Sequence, residues 1–286
     1  MNWMIDWEKE YNLLVEKANS LEFVMIPIKL HLRGITEYFL AKEPHAYESI
    51  VNWFWIASSI NSVDFDGIRY DCAYSMCRPA YEYEEEKQKL HVKLINELTI
   101  FLYVYSGFES LLNDFSLPKC PSSNGKINSA QYFLKENYSK NFNSIPLYSD
   151  LLNVFLSLIK KSSLNKYEKS FSIDNCTDIS GVGLKVIYKI RNKLAHGDYS
   201  FPEPGDWSSE LPCEPEITRV ATRIILFSIQ MLLISINVGN FVDLEFHNSE
   251  ILQTDDYGNS VVNELDYLSN LHVKLINKDD CQLKMF

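Results

Sequence analysis

The chain is predicted to be a mainly α-helical protein, and three observations carry that reading. Apolar residues recur at three- and four-residue spacing along several long segments. Only ten glycines and ten prolines punctuate 286 residues, few for the tight turns of an all-β chain. The hydrophobic share is 46%, enough at this length for one large core or two modest ones.

Residues 3–18 set Trp3, Trp7, Tyr11, Leu14 and Val15 on one helical face. Leu21–Leu32 is apolar and β-branched around Pro27, and reads as a strand or a short helix. Tyr47–Ile60 is rich in aromatic residues and reads as a buried helix. Residues 61–80 look irregular, and Tyr81–Lys89 is a charged lead-in to a long helix at about 84–116. That helix carries Leu90, Leu94, Leu98, Phe101, Leu102, Tyr105, Phe108, Leu111, Leu112 and Phe115 along one stripe. Two prolines, serines and an Asn-Gly pair break it over Leu117–Asn128. Helices are predicted next at Ser129–Tyr138 and Tyr148–Lys161. A further helix runs from about Gly181 to His196, with Asp178 or Ser180 as its cap. Ile217–Asn237 forms the last long helix, and alternation at Phe241–Phe246 and Leu271–Ile276 predicts short strands. The chain divides accordingly into an N-terminal helical accessory segment (1–83), a helical domain (84–238) and a short C-terminal extension with β character (239–286). The heptapeptide Leu-His-Val-Lys-Leu-Ile-Asn occurs at 90–96 and again at 271–277, without a repeat period that would imply a solenoid.

No apolar run looks like a membrane span, because Ile217–Val238 carries Arg219, Arg223 and Gln230. The first residues lack the basic start and apolar core of a signal peptide, so a cytoplasmic location is expected. Six scattered cysteines show no Cys-x-x-Cys pair, so reduced structural thiols are expected rather than a zinc site or a disulfide framework. Net charge is −11, which argues against a protein that coats nucleic acid along its whole surface. The distribution is uneven. Between Lys160 and Lys193 stand eight basic residues (160, 161, 166, 169, 185, 189, 191 and 193) and only three acidic ones, Glu168, Asp174 and Asp178.

The richest string lies inside that basic stretch: Tyr188-Lys-Ile-Arg-Asn-Lys-Leu-Ala-His-Gly197. It places Arg191 and Asn192 just ahead of His196, at the end of an apolar-striped helix that Gly197 closes. Arginine grips phosphate with a planar fork, and histidine moves protons near neutral pH. Asn192 is four residues before His196, spaced to orient its imidazole across one turn. Leu184, Ile187, Ile190 and Leu194 would bury the opposite face. A plainer reading stands beside this one: a basic helix end complementing the helix dipole, with glycine in the left-handed cap.

The string resembles the Arg-Asn-x-x-x-His signature of the HEPN superfamily, small antiparallel helical bundles that include metal-independent ribonucleases of toxin and antiphage systems. The order long helix, polar insert, helix, motif helix, long helix over about 85–238 is similar to the layout of that family. Glu109 stands where related domains often carry an acidic residue, and it could equally be a partner for Arg191. The resemblance implies endoribonuclease activity with no metal and no cofactor. Arg191, Asn192 and His196 would be catalytic, and Lys185, Lys189 and Lys193 would contact the RNA backbone. It also implies a homodimer, since Arg191 and His196 stand about 140° apart around one helix. Two copies about a two-fold axis would then share a composite site. An antitoxin or another defence protein is a further expected partner. The competing readings are a non-catalytic HEPN scaffold for a nucleotidyltransferase or other defence protein, and a nucleotide-binding helical module. The acidic, proline-bearing loop Asp198–Glu216 reads either as a connector or as a strap across the basic groove.

Overall fold

The computed structural model describes residues 23–42, 45–67, 77–204, 212–236, 240–245 and 259–275. The helix expected at 3–18 lies outside the described residues.

The stretch around Pro27 is both a strand and a helix. Strand β1 (Phe23–Met25) precedes the proline, and helix α1 (Ile28–Lys42) follows it directly. Proline lacks an N–H to continue the ladder, and its fixed φ suits a helix start. Helix α2 (Glu48–Ser59) buries Ile50, Phe54 and Ala57 but leaves Trp55 63% exposed, so it is one-sided rather than wholly buried. Helix α3 (Arg78–Asp114) begins about six residues earlier than its apolar stripe predicts. Pro79 sits in its first turn, and the charged lead-in is helical because its side chains pair one turn apart. Arg78 Nε donates to Glu82 at 2.8 Å and the Tyr81 hydroxyl donates to Glu85 at 3.1 Å. The stripe is buried from Leu90 to Leu112, except that Leu102 is 45% exposed.

Helix α4 (Lys126–Phe133) runs into a π-helical turn at Leu134–Tyr138, and α5 spans Tyr148–Lys161 as the periodicity predicts. A 3₁₀ segment (Asn165–Ser170) leads towards the motif helix α6 (Val182–Ala195). Helix α7 (Glu214–Ile236) is the axis of the molecule, packing on α3, α5 and α6. By length and composition α7 is apolar enough to cross a membrane, contrary to the expectation from its two arginines. Yet 94% of its most apolar window is buried within the protein. A helix apolar on all sides is what a core axis requires. Its hydroxyls are satisfied one turn back, as where Thr222 Oγ1 donates to the Thr218 carbonyl at 2.9 Å.

The C-terminal extension holds more than two strands. β2 (Phe241–Glu245) pairs antiparallel with β3 (Asn259–Asn263), Phe241 opposite Asn263. Helix α8 (Glu264–Asn270) follows, capped by Asn263 Oδ1, which accepts from the Leu265 and Asp266 N–H groups at 3.0 and 3.2 Å. β4 (Val273–Leu275) then pairs antiparallel with β1. A single buried core runs from Leu32 to Leu271 and draws on α1 to α8.

Cys120 and Cys176 are joined by a disulfide, with Cα atoms 6.1 Å apart and a sequence separation of 56. This corrects the expectation of reduced thiols throughout. Nothing in the spacing announces it, because folding of α4 to α6 brings the two together. Cys77 and Cys213 are free, and among the described residues no group of His, Cys, Asp and Glu could hold a metal ion.

Candidate active site at the end of helix α6

Helix α6 is seated by its buried face, which presents Val182, Leu184, Val186, Ile187 and Ile190 to the core. Each such side chain contributes roughly 1.5–3 kcal/mol on burial. At Gly183 the helix comes so close to its neighbours that an added Cβ would lie 2.8 Å from Ile224 Cγ2 of α7 and 3.0 Å from Leu152 Cδ2 of α5. The start of α6 is set by an Asx-type turn. Asp178 Oδ1 accepts from the Ser180 N–H at 3.0 Å and its hydroxyl at 2.6 Å, and the Asp178 carbonyl accepts from Val182 N–H at 3.0 Å. Neither Asp178 nor Ser180 caps the helix by its side chain; Gly181 occupies the cap position.

The other end closes in a Schellman motif. His196 is the C-cap, and Gly197 takes φ +74°. Gly197 N–H donates to Leu194 O at 3.2 Å, and Asp198 N–H donates to Lys193 O at 2.9 Å. The motif therefore sits on a terminated, well-defined helix end.

Arg191 is partly buried and held from two sides. Its Nη2 donates to Glu109 Oε2 of α3 at 3.3 Å, and its guanidinium carbon lies 5.4 Å from the centre of the Tyr105 ring. Glu109 is thus the partner for Arg191 that its place in sequence allowed. Tyr105 is a participant that the sequence reading assigned only to the core. The signal was its position one turn before Glu109 on the same face of α3. Its hydroxyl has no partner among the described residues, and burial, then Glu109, push its acidity down against the opposing pull of Arg191.

Asn192 does not orient His196. Its Oδ1 accepts from Arg191 Nη1 at 3.5 Å, and only its backbone carbonyl meets His196, accepting that residue's N–H at 2.9 Å. The imidazole of His196 is exposed. Arg191 and Asn192 are brought together, and His196 stands beyond them on the cap.

Of the expected backbone-binding lysines, Lys185 is engaged by Asp174 Oδ2 at 2.9 Å, which holds that carboxyl below its ordinary range. Lys189 Nζ donates to Ser170 Oγ at 2.6 Å, and Lys193 lies 5.8 Å over the Tyr199 ring. Neither of those two has a carboxylate partner among the described residues. Lys160 pairs with Glu168 at 3.2 Å. Tyr188 is 43% exposed on α6.

In the described part of the acidic loop, Tyr199 lies under Lys193 of α6 and the Glu203 carboxylate turns away from that helix. Glu203 reaches α3 instead, accepting from the Tyr83 hydroxyl at 3.2 Å and pairing with Lys87 at 3.3 Å. The ring of His91 bonds the Pro202 carbonyl at 3.0 Å and meets Phe201 edge-on. Residues 205–211 of the loop lie outside the described residues.

A second polar centre was missed in sequence. Arg223 of α7 is buried, donating to the Ile26 carbonyl at 2.6 Å and bonding His31 Nδ1 at 2.9 Å. One face along, Gln230 Nε2 reaches the Leu268 carbonyl at 2.5 Å and His272 Nδ1 at 3.3 Å, while His272 Nε2 bonds the Pro146 carbonyl at 3.0 Å. The signal was an arginine and a glutamine inside the most apolar run of the chain, which demand buried partners. Burial first, and then the Arg223 charge, pull His272 down to about 3 and His31 well below its ordinary value. Both rings are neutral, and they tie the two ends of the described chain to the axis helix.

The chain matches no family model, no curated protein and no solved structure in the comparisons made with each.

Proposed function

We propose that the protein is a metal-independent endoribonuclease of the HEPN type, acting as a homodimer. The observation that supports this most is the pairing, at one terminated helix end, of a guanidinium held by Glu109 and Tyr105 with an exposed histidine at the cap. In this reading His196 of one copy removes the proton from a ribose 2′-hydroxyl. The His196 of the second copy protonates the departing 5′-oxygen. Arg191 stabilises the charge that develops on the phosphorane oxygens. Asn192 supports Arg191 rather than His196. Lys189 and Lys193, with Lys185 once parted from Asp174, contact the backbone. The products are a 2′,3′-cyclic phosphate and a 5′-hydroxyl, and DNA is inert for want of the nucleophile. A role as a toxin or antiviral-defence effector, with an antitoxin or other defence protein as partner, belongs to the same reading.

A second reading, a HEPN-type binding module without cleavage, is favoured by one observation: among the described residues no side chain hydrogen-bonds the His196 imidazole. The test is cleavage of mixed cellular RNA in EDTA by the wild type, Arg191→Ala and His196→Ala, with dimerisation followed in parallel. Cleavage with cyclic phosphate ends, lost in both variants while the dimer persists, is the result expected. A folded, dimeric wild type that leaves RNA intact decides for the binding module.

A further inference from the structure

We propose that Cys120–Cys176 is a thiol–disulfide exchange site, served by a polar pocket that admits a low-molecular-weight thiol, and that exchange there governs how the segment before α6 is held. The proposal is independent of RNA cleavage and is tested without it.

The two sulfurs join the linker after α3 to the turn that leads into α6. Both cysteines are nearly buried, at 4% and 6% exposure. Cys176 nevertheless lines a partly open cavity of about 280 Å³, together with Ser122, Ser123, Asn128, Gln131 and Lys185. That volume has room for a thiol of a few residues' size and excludes a folded protein domain. The lining is chemically suited to a thiolate. Ser122 Oγ lies 3.0 Å from Cys176 Sγ and 3.7 Å from Cys120 Sγ, within reach of either sulfur as it gains charge. Lys185 is the cation at the pocket, but Asp174 lines it too and holds Lys185 at 2.9 Å, so the Ser122 hydroxyl rather than a free charge is what meets a thiolate. Gln131 is almost wholly buried; its Oε1 accepts from Thr177 Oγ1 at 2.9 Å, and its Nε2 has no partner among the described residues. An unpaired buried donor in a pocket wall is a group awaiting an acceptor.

The exchange balances as follows. An incoming thiolate attacks the sulfur of Cys176, the cysteine that lines the pocket, and forms a mixed disulfide as the bond to Cys120 breaks. The electron pair leaves on Cys120, where Ser122 donates a hydrogen bond and water supplies the proton. A second thiol then attacks the reagent's sulfur and releases Cys176 as a thiol. Two external thiols become one external disulfide, and the protein disulfide becomes two thiols.

The consequence reaches the motif helix. Asp174 and Thr177 bond each other's backbones across the turn at 2.9 and 3.3 Å, and Asp174 holds Lys185 of α6. Lys135 Nζ binds the Asp174 and Asn175 carbonyls at 2.9 and 3.0 Å. With the disulfide open, the turn is tied to α4 and the π turn after it by the buried Thr177–Gln131 hydrogen bond and the partly exposed Lys135 contacts, and the hold on Lys185 loosens.

The experiment uses the full chain, alkylated and digested without reductant, before and after incubation of the folded protein with millimolar glutathione. The expected results are a linked 120–176 peptide pair before treatment and a transient glutathione adduct on Cys176. Amide exchange over 174–185 should rise once the pair has opened. Ser122→Ala should slow opening roughly ten-fold. Absence of the linked pair in untreated protein overturns the proposal, as does an adduct on Cys120. So does a link that survives glutathione in the folded state and opens only in urea. Unchanged amide protection over 174–185 after opening overturns the connection to α6. The site of the adduct is read from the wild type, so it decides even where Ser122→Ala fails to fold.

Discussion

Arg191 Nη2 and Glu109 Oε2 lie 3.3 Å apart, an ion pair that fastens the C-terminal end of α6 to α3. Both side chains are about one-third exposed, so the pair contributes at most about 1 kcal/mol to stability. Its importance is positional: it fixes the guanidinium over Tyr105 and sets a negative charge beside the place a phosphate would occupy. Glu109→Gln keeps the shape and removes that charge. Unfolding stability should change by less than about 1 kcal/mol, while affinity for a 2′-O-methylated RNA should tighten roughly 2–5-fold. Fluorescence anisotropy at two salt concentrations reads this directly. Weaker binding of the variant would show that Glu109 orients Arg191 for RNA rather than competing for it.

Gly197 is the residue that lets His196 be a cap. Its φ of +74° is costly for any residue with a Cβ, and an added Cβ would meet nothing within 4 Å. The penalty for Gly197→Ala is therefore backbone strain alone, about 1 kcal/mol. Gly197→Asn should cost less, because asparagine tolerates the left-handed region. A denaturant series on the three proteins checks the order Gly, Asn, Ala. Equal stabilities would mean that the Schellman closure does not hold the end of α6.

The helices and the motif end were legible because both are local. The stripe Leu90–Leu112, the helix Tyr148–Lys161 and the glycine closing α6 rest on three- and four-residue spacing and cap chemistry. What was not legible is long-range. The Cys120–Cys176 link, the Arg191 seat on Tyr105 and the attachment of Glu203 to Lys87 each join residues far apart in sequence. The heptapeptide makes the same point. Within α3 its residues 90–96 are helical, whereas Val273–Leu275 of the second copy forms β4 against β1. Identical local preference yields to whichever partner completes the backbone hydrogen bonds.

Close approach of α6 to α7 at Gly183 gives a test of how rigidly the motif helix is seated. An alanine there must push aside Ile224 Cγ2, which sits near the backbone of α7 and cannot swing away. Gly183→Ala should destabilise by about 1–3 kcal/mol. Ile224→Ala alone should cost about 2–5 kcal/mol through the cavity it leaves. The double variant should be less destabilised than the sum, since the new methyl enters that cavity, with a coupling of at least about 0.5 kcal/mol. Strict additivity in a double-mutant cycle would mean that the two helices are not in the contact described.

The buried histidines give the protein a directional pH dependence. His31 and His272 both have folded values below 6.5, the ordinary histidine value, so the folded protein keeps them neutral where an unfolded chain would protonate them. The unfolded state therefore binds more protons below that value, and stability falls as pH falls. Their contribution is fully present above the unfolded value, and each ring removes about 1 kcal/mol per pH unit on the way down. For His272 the loss continues to its folded value of about 3. Titratable carboxylates add their own slope in the acid range, so the decisive comparison is with a variant. His272→Gln keeps a polar side chain beside Gln230 and Pro146 and removes one titrating group. Urea midpoints from pH 7.5 down to about pH 5 should fall less steeply for His272→Gln than for the wild type, by close to one proton. Parallel profiles would show that His272 carries its proton equally in both states, and that the ring is not sealed from water against α7.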